Sequence, residues 1–443
     1  MKIRTMARLT IALSLFSWNS SVLASYPEYF GTGPNTSSIG NQSNLNTDDP
    51  SNAYYLPALS AWSQKLTLSA SISTTSHSFE PITNIVTENS TNGQSGSDVV
   101  YGDADTDYEN SNNAVVAIIL PLREKEYGAA SLLFTAPIGG LAETNSGHPT
   151  LPEYSMYRSR YRRTQMYFNY ALPLGDHWAV SLGAHMGFQA SARVNTQVSL
   201  GDDYGSSGNA KTKIDPSFGA IASVIYKTED SQIGFTFQQE MKSNLEAVAT
   251  GEISDPPLTL INIGLENMIY YDPHILRVSF AKSWDEWELF TSLEYQMWEN
   301  YKAPLIQIDN LGGSVRASDD YERLQLKNIW IPKVGVKWKT TESLSLMTGM
   351  IYRQSPLDSD FSQSGNTIDT DSFILTSGLT YDFKLFNKDI QLGVSAQYHH
   401  LFEEEVQKTS GQENGQAGLK IGAPGYKIGG HVIMAMGGLK VSF

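Results

Sequence analysis

From residue 64 onward the apolar residues of this chain recur at every second position, in segments that restart roughly every 30 residues. The connections between these segments alternate between very short and long. Residues 122–126, 173–176, 228–230, 283–285, 340–342 and 384–388 read as tight turns. Residues 77–112, 138–159, 304–326 and 406–427 are long polar stretches rich in Asn, Ser, Gly, Asp and Thr. A soluble sandwich has no reason to sort its loops by length. An up-and-down transmembrane barrel with an even strand number does, placing short turns on the periplasmic side and long loops outside. The alternation predicts strands near 64–76, 113–121, 127–137, 160–172, 177–193, 213–227, 231–249, 262–282, 286–301, 327–339, 343–355, 371–383, 389–404 and 428–443. The expected fold class is therefore all-β: a transmembrane antiparallel β-barrel of about 14 strands.

Both ends of the chain agree with that expectation. Ile433, Ala435, Leu439, Val441 and Phe443 alternate with Met434, Met436, Lys440 and Ser442. The terminal Phe443 suits the assembly signal of outer-membrane barrels, which implies the barrel assembly machinery as a partner alongside outer-membrane lipid and lipopolysaccharide. At the other end Lys2, Arg4 and Arg8 precede the apolar residues 9–16, and Val22-Leu23-Ala24 has the small-residue spacing of a cleavage site, so residues 1–24 read as an export signal. After residue 24 no apolar run reaches the roughly 20 residues of a membrane helix. The chain has no cysteine, which excludes disulfides, thiolate metal sites and a lipoprotein anchor. Loss of the leader's three basic residues makes the net charge of −15 more negative still, and the only basic cluster is the short run at 158–163. Nucleic acid is not an expected partner.

Residues 25–62, ahead of the first strand, are too irregular for a strand and too apolar at Tyr54, Tyr55, Leu56 and Leu59 for a free tail. In a barrel such a segment is expected to be a plug in the lumen, with the barrel itself at 63–443. Gly40, followed by Asp48-Asp49-Pro50-Ser51-Asn52-Ala53-Tyr54-Tyr55-Leu56-Pro57-Ala58-Leu59, resembles the N-terminal hatch of the FadL-type outer-membrane transporters. That hatch ends in Asn-Pro-Ala; here Leu56 replaces the Asn before Pro57 and Ala58. Fragments such as Tyr295-Gln296-Met297-Trp298, Tyr352-Arg353-Gln354-Ser355-Pro356 and Pro424-Gly425-Tyr426 have family counterparts in the same order. The resemblance implies a fourteen-stranded barrel with a hatch in its lumen, in the outer membrane of a Gram-negative bacterium. It also implies uptake of long-chain fatty acids or other hydrophobic compounds, such as hydrocarbons.

The alternation identifies inward-facing candidates for ligand contact: Arg277, Trp298 and Lys333, with Met434 and Met436 on the last strand. Their cations could meet a fatty-acid carboxylate while flexible Met side chains cradle its tail, or they could brace wall and plug as salt bridges. The hatch candidates are Asp48, Asp49, Pro50, Tyr54, Tyr55, Pro57 and Ala58. Catalytic signatures such as Gly-x-Ser-x-Gly or His-Glu-x-x-His are missing, so no enzyme activity, cofactor or metal is expected. The alternating carboxylates of residues 103–109 could hold Ca²⁺ but lack the glycine and glutamate of an EF-hand loop. The other readings are a polar-solute porin or adhesin with functional outer loops, and a barrel hydrolase whose dyad escapes local motifs.

Overall fold

The computed structural model describes residues 26–89, 99–122, 127–138, 152, 154, 157, 163–199, 205–253, 259–300, 326–357, 368–408 and 422–443, with side chains described outside 188–215 and 243–270. The leader, the basic residues 158–162 and most of the long outer loops lie outside the described residues.

Eighteen strands follow one another in the described chain. They are β1 (Thr67–Phe79), β2 (Ile85–Asn89), β3 (Val99–Gly102), β4 (Ser111–Pro121), β5 (Ala129–Pro137), β6 (Gln165–Leu174), β7 (Trp178–Ser199), β8 (Gly205–Lys227) and β9 (Ser231–Gln238). The rest are β10 (Met241–Ile253), β11 (Thr259–Asp272), β12 (His274–Trp284), β13 (Trp287–Met297), β14 (Ile329–Lys339), β15 (Leu344–Arg353), β16 (Ser372–Leu385), β17 (Lys388–Gln407) and β18 (Gly425–Ser442). Fourteen of them form a closed antiparallel ring in the order β1, β4 to β9 and β12 to β18, completed by the β18–β1 pairing of Ser442 with Thr67 through Gly430 with Phe79. Closure leaves the fourteen-strand ring without a first or last strand, which is what a wall in contact with lipid requires.

Burial alternates along the described parts of the wall strands, and the large side chains on the exposed face are mostly apolar. Ile72, Leu182 and Phe218 are each more than 60% exposed. This outward belt is bounded at the short-turn end by Trp178, Trp284, Trp287 and Trp338, all exposed; Trp287 and Trp338 stack across β13 and β14 at 5.3 Å. An apolar belt with an aromatic rim is stable only against a bilayer. The inward positions are buried and largely polar, among them Thr67, Ser73, Asn169, Ser223, Thr236, Arg277, Glu294, Lys333, Thr376 and Gln397.

Two expected strands differ from the structure. The seventh and eighth wall segments, expected as unbroken runs at 231–249 and 262–282, are each divided: β9 ends before Gln239 and Glu240, and β11 and β12 meet at Pro273. Pro273 has no N–H to give to a ladder, so the pairing must change there. Beyond the break the β10–β11 hairpin leaves its neighbours in the ring, and β10 runs parallel to the outer half of β7, pairing Leu245 with Ala190 through Ile253 with Val198. The position is vacant because β6 starts only at Gln165, opposite the residues of β7 up to Met186. Buried Arg163 forms an ion pair with Asp272 at the base of this hairpin, and Gln165 donates to the same carboxylate at 2.8 Å. The first outer loop also contains a small hairpin of its own, β2 with β3.

Of the region 103–109, Asp103 caps the backbone N–H of Asn84 at 2.9 Å and Asp105 that of Asp107 at 3.2 Å. Among the described residues no three His, Asp or Glu side chains converge as a metal site.

Candidate functional site in the lumen

Residues 26–62 lie inside the ring. Their partners are inward-facing side chains on strands from all round the wall, which is possible only from the interior. Tyr26 donates to Ser73 on β1, Asn169 on β6 to the Ala53 carbonyl at 3.0 Å, and the Ala58 N–H to Ser223 on β8 at 2.9 Å. Thr236 on β9 donates to the Tyr55 carbonyl at 2.9 Å, and Thr376 on β16 to that of Ser38 at 2.8 Å. On β17 Gln397 donates to Ser37 Oγ and to Asn41 Oδ1, both at 2.8 Å.

The inner segment is itself knotted by Asp49. This buried carboxylate accepts from the Ser51 N–H at 3.0 Å, the Ser51 hydroxyl at 2.6 Å, Asn35 at 2.6 Å and Asn44 at 2.9 Å, and faces Lys440 of β18 at 3.9 Å. Asp48 points the other way and accepts from the Ser63 hydroxyl and the Gln64 N–H at 2.6 and 3.0 Å, fixing the exit into β1. Pro50, Pro57 and Ala58 are buried, and Leu56, Ala58 and Leu59 pack with Ala171, Ala179 and Ile225 of the wall. Beside Asp49 a small open cleft lies between the segment and β1, β17 and β18, lined by Pro34, Asn35, Gln391 and Lys440.

Glycines make room for the segment. A Cβ on Gly335 would stand 2.2 Å from the Ile39 carbonyl oxygen, and one on Gly349, its partner across β14 and β15, 2.5 Å from the Ile39 carbonyl carbon. On Gly393 and Gly438, paired across β17 and β18, it would press on Pro34 at 2.7 and 2.8 Å. Gly40, at φ +88°, lies against the carbonyls of Val334 and Met350.

Arg277, Lys333 and Trp298 come together around one carboxylate. Arg277 Nε donates to Glu294 Oε2 at 2.8 Å and Lys333 Nζ to the same oxygen at 3.1 Å. Gln296 donates to Glu294 Oε1 at 2.6 Å and to Glu28 at 2.9 Å, and accepts from the Trp298 indole at 2.8 Å. Both cations also reach the inner segment: Arg277 the carbonyls of Tyr54 and Tyr55 at 3.3 Å, Lys333 that of Asn41 at 3.1 Å. The guanidinium lies 5.0 and 5.4 Å from the rings of Tyr54 and Tyr55. These contacts use the candidate cations to hold wall and segment together. Met434 and Met436 are buried on β18, in the same large apolar cluster as Tyr29, Phe30 and Trp298.

A second group escapes reading by motif. Arg353, facing inward at the end of β15 away from the short turn, lies 4.6 Å over the Tyr29 ring and donates to Asp369 at 3.3 Å. Around it are Tyr157, 5.8 Å edge-on to Tyr29, His399, 5.2 Å from Phe30, and Phe79, stacked on Tyr154 at 4.2 Å. The inward phase of β15 is the signal that finds Arg353. Asp369, Tyr154 and Tyr157 belong to loops without periodicity, where no such signal exists.

A family model described as outer membrane protein transport protein (OMPP1/FadL/TodX) matches residues 171–429. The chain belongs to this family of outer-membrane β-barrels, which are channels for hydrophobic compounds. Among solved structures, a FadL homologue from Pseudomonas aeruginosa is similar with a TM-score of 0.59 at 13% identity, over 95% of this chain and 98% of that one. The toluene transporter TbuX of Ralstonia pickettii gives 0.53 at 14% identity, over 94% and 99%. At these identities the likeness concerns the fold. A curated relative, alkane uptake protein A of Marinobacter nauticus, is 24% identical over 164 residues, which are 36% of this chain and only 34% of that protein's length.

Proposed function

We propose that this protein takes up hydrophobic compounds, fatty acids or hydrocarbons, across the outer membrane by passive diffusion, and that residues 26–62 are a hatch that ligand displaces. The observation that carries the reading is the lumen itself, which is occupied by a folded segment held through neutral and ionic hydrogen bonds rather than left as an aqueous channel. Relatives named for toluene transport and alkane uptake support the hydrophobic class of ligand. In this reading Arg277 and Lys333 anchor the hatch, and Met434 and Met436 with the lumen rings line the ligand's route. A ligand can shift the hatch only by binding the shifted state more tightly, so hatch substitutions alter uptake and affinity together.

The test is a liposome-swelling assay. The intact protein is expected to pass a labelled hydrophobe and almost no sugar, while Asp48→Ala with Asp49→Ala admits sugars. Free sugar passage by the intact protein, without saturable hydrophobic uptake, would mean a polar porin instead.

Acidification is expected to act through the same residue. Burial alone raises the Asp49 pKa, but the charge of Lys440 and the hydrogen bonds from Ser51 and Asn35 more than offset this, so the carboxyl titrates below its ordinary range. The stabilisation it gives the hatch is complete above the ordinary carboxylate pKa of about 4 and is lost as pH falls through the lowered value. Ion conductance across a planar bilayer is therefore expected to be low at neutral pH and to rise only in strong acid. A rise on going to alkaline pH would contradict this role for Asp49.

Phe443 lies at the short-turn end, half exposed, with its N–H on the Leu66 carbonyl at 2.9 Å and Lys388 Nζ 4.4 Å from the ring centroid. Far from the lumen, it is proposed to serve the barrel assembly machinery. Deleting it is expected to lower the amount of protein in the outer membrane several-fold without changing uptake per assembled barrel, as read by quantitative immunoblot of membrane fractions.

A further inference from the structure

The charges inside the lumen bear on which hydrophobic compounds can enter. Among the described residues, Arg163, Arg277, Lys333 and Arg353 are cations buried between wall, hatch and the hairpin base. Glu28, Asp272, Glu294 and Asp369 are carboxylates buried with them, and two further buried carboxylates, Asp49 and Glu288, face Lys440 and the pair Lys337 and Lys339. The opposite charges meet locally. Arg163 pairs with Asp272 and Arg353 with Asp369. Arg277 and Lys333 share Glu294, and Glu28 joins them through the amide of Gln296. The remaining face of each cation near the hatch is turned to a ring: Arg277 to Tyr54 and Tyr55, Lys333 to Tyr55 at 6.0 Å, Arg353 to Tyr29. Lys408, also buried, belongs to the outer end of the wall, where its stem lies against Gly422.

An ionised carboxylate entering this interior would add a negative charge where, among the described residues, each buried cation of this group already faces a carboxylate, and it would give up its hydration with no unmatched cation of that group to receive it. An uncharged molecule has no such penalty. From this balance we infer that the lumen selects uncharged hydrophobes, such as hydrocarbons, long-chain alcohols and esters, over ionised fatty acids. The inference rests on the uptake reading above and narrows its ligand class. Arg353 adds a preference within that class. Among the described residues its Nε and Nη2 have no hydrogen-bond partner, although the residue is buried and its Nη1 is bound to Asp369. Beside the rings of Tyr29, Tyr157 and Phe30 this edge suits an acceptor without full charge: a hydroxyl, an ester carbonyl or the face of an arene.

A matched pair of ligands tests this with the full-length protein in lipid nanodiscs. Methyl palmitate and palmitate have the same tail and differ in the charge of the head. At pH 8, equilibrium binding of the labelled compounds is expected to favour the ester at least tenfold. Asp369→Asn leaves Arg353 without its carboxylate and is expected to move the palmitate-to-ester affinity ratio at least tenfold toward palmitate. Glu294→Gln, which strips the counter-charge from Arg277 and Lys333, is expected to move it the same way and serves if the first variant does not assemble. Palmitate binding the unaltered protein as tightly as its ester, or more tightly, would overturn the inference and leave the uptake reading standing. Saturable binding of neither compound, nor of toluene or hexadecane, would overturn the uptake reading and this inference with it.

Discussion

Glu294→Leu is expected to destabilise the barrel and its hatch by about 3–5 kcal/mol, because it leaves Arg277 and Lys333 as buried cations without a counter-charge. Both ammonium and guanidinium groups now share one carboxylate oxygen, at 2.8 and 3.1 Å, and both hold hatch carbonyls from that position. The penalty comes from the two stranded charges more than from the lost contacts. Two readouts follow. The temperature at which unboiled protein converts to the boiled form on a gel should fall markedly, and sugars should begin to pass in the swelling assay. Replacing all three residues together, Arg277→Met, Glu294→Leu and Lys333→Met, is expected to recover much of the thermal loss, since no buried charge is then unpaired. The triple variant should still leak, because the bonds to Tyr54, Tyr55 and Asn41 are gone. If the single and triple variants are equally unstable, the unpaired charge is not the cause.

Gly335→Ala is expected to lift the hatch while leaving the wall intact. The three atoms nearest the added methyl would all be hatch backbone, the Ile39 carbonyl oxygen at 2.2 Å, its carbon at 2.8 Å and the Ile39 Cα at 2.9 Å. Overpacking of this kind costs about 1–3 kcal/mol, and here the hatch can relieve it by shifting whereas the closed sheet cannot. Gly349→Ala acts on the same contact from the facing strand. Both variants should remain heat-modifiable barrels with unchanged β circular dichroism, yet pass sugars severalfold faster than the unaltered protein in liposomes. Gly175, whose Cβ position is open space, is a poor control because its φ of +85° would strain any side chain; Gly437, also open and without that constraint, is the better one. A leak from Gly437→Ala equal to that from Gly335→Ala would mean that sheet disturbance, not the hatch contact, opens the lumen.

The wall was largely readable along the chain because lipid on one side and a polar lumen on the other impose a period of two that each strand must carry in its own residues. Glu288, Ser292, Glu294 and Gln296 are buried on the inward face of β13, with Trp298 buried just past its end, and His399 and His400 face opposite sides of β17, as alternation requires. The breaks in the seventh and eighth wall segments were less readable. Pro273 is a local signal for one of them, but where the released hairpin goes depends on the vacant edge that a short β6 leaves on β7.

The membrane-facing belt, the fourteen-strand wall and the inward phase of its side chains are legible in the order of residues, since each follows from neighbours within a few positions. Which inward charges meet is settled by the folded barrel. Arg277, Glu294 and Lys333 are brought together by the β12–β13–β14 register, Arg353 finds Asp369 across a loop, and Gly335 and Gly349 become a seat only once Ile39 rests on them. Charge pairing and close packing depend on distances through space, to which residues far apart in the chain contribute, and alternation along a strand contains no information about its partner across the lumen.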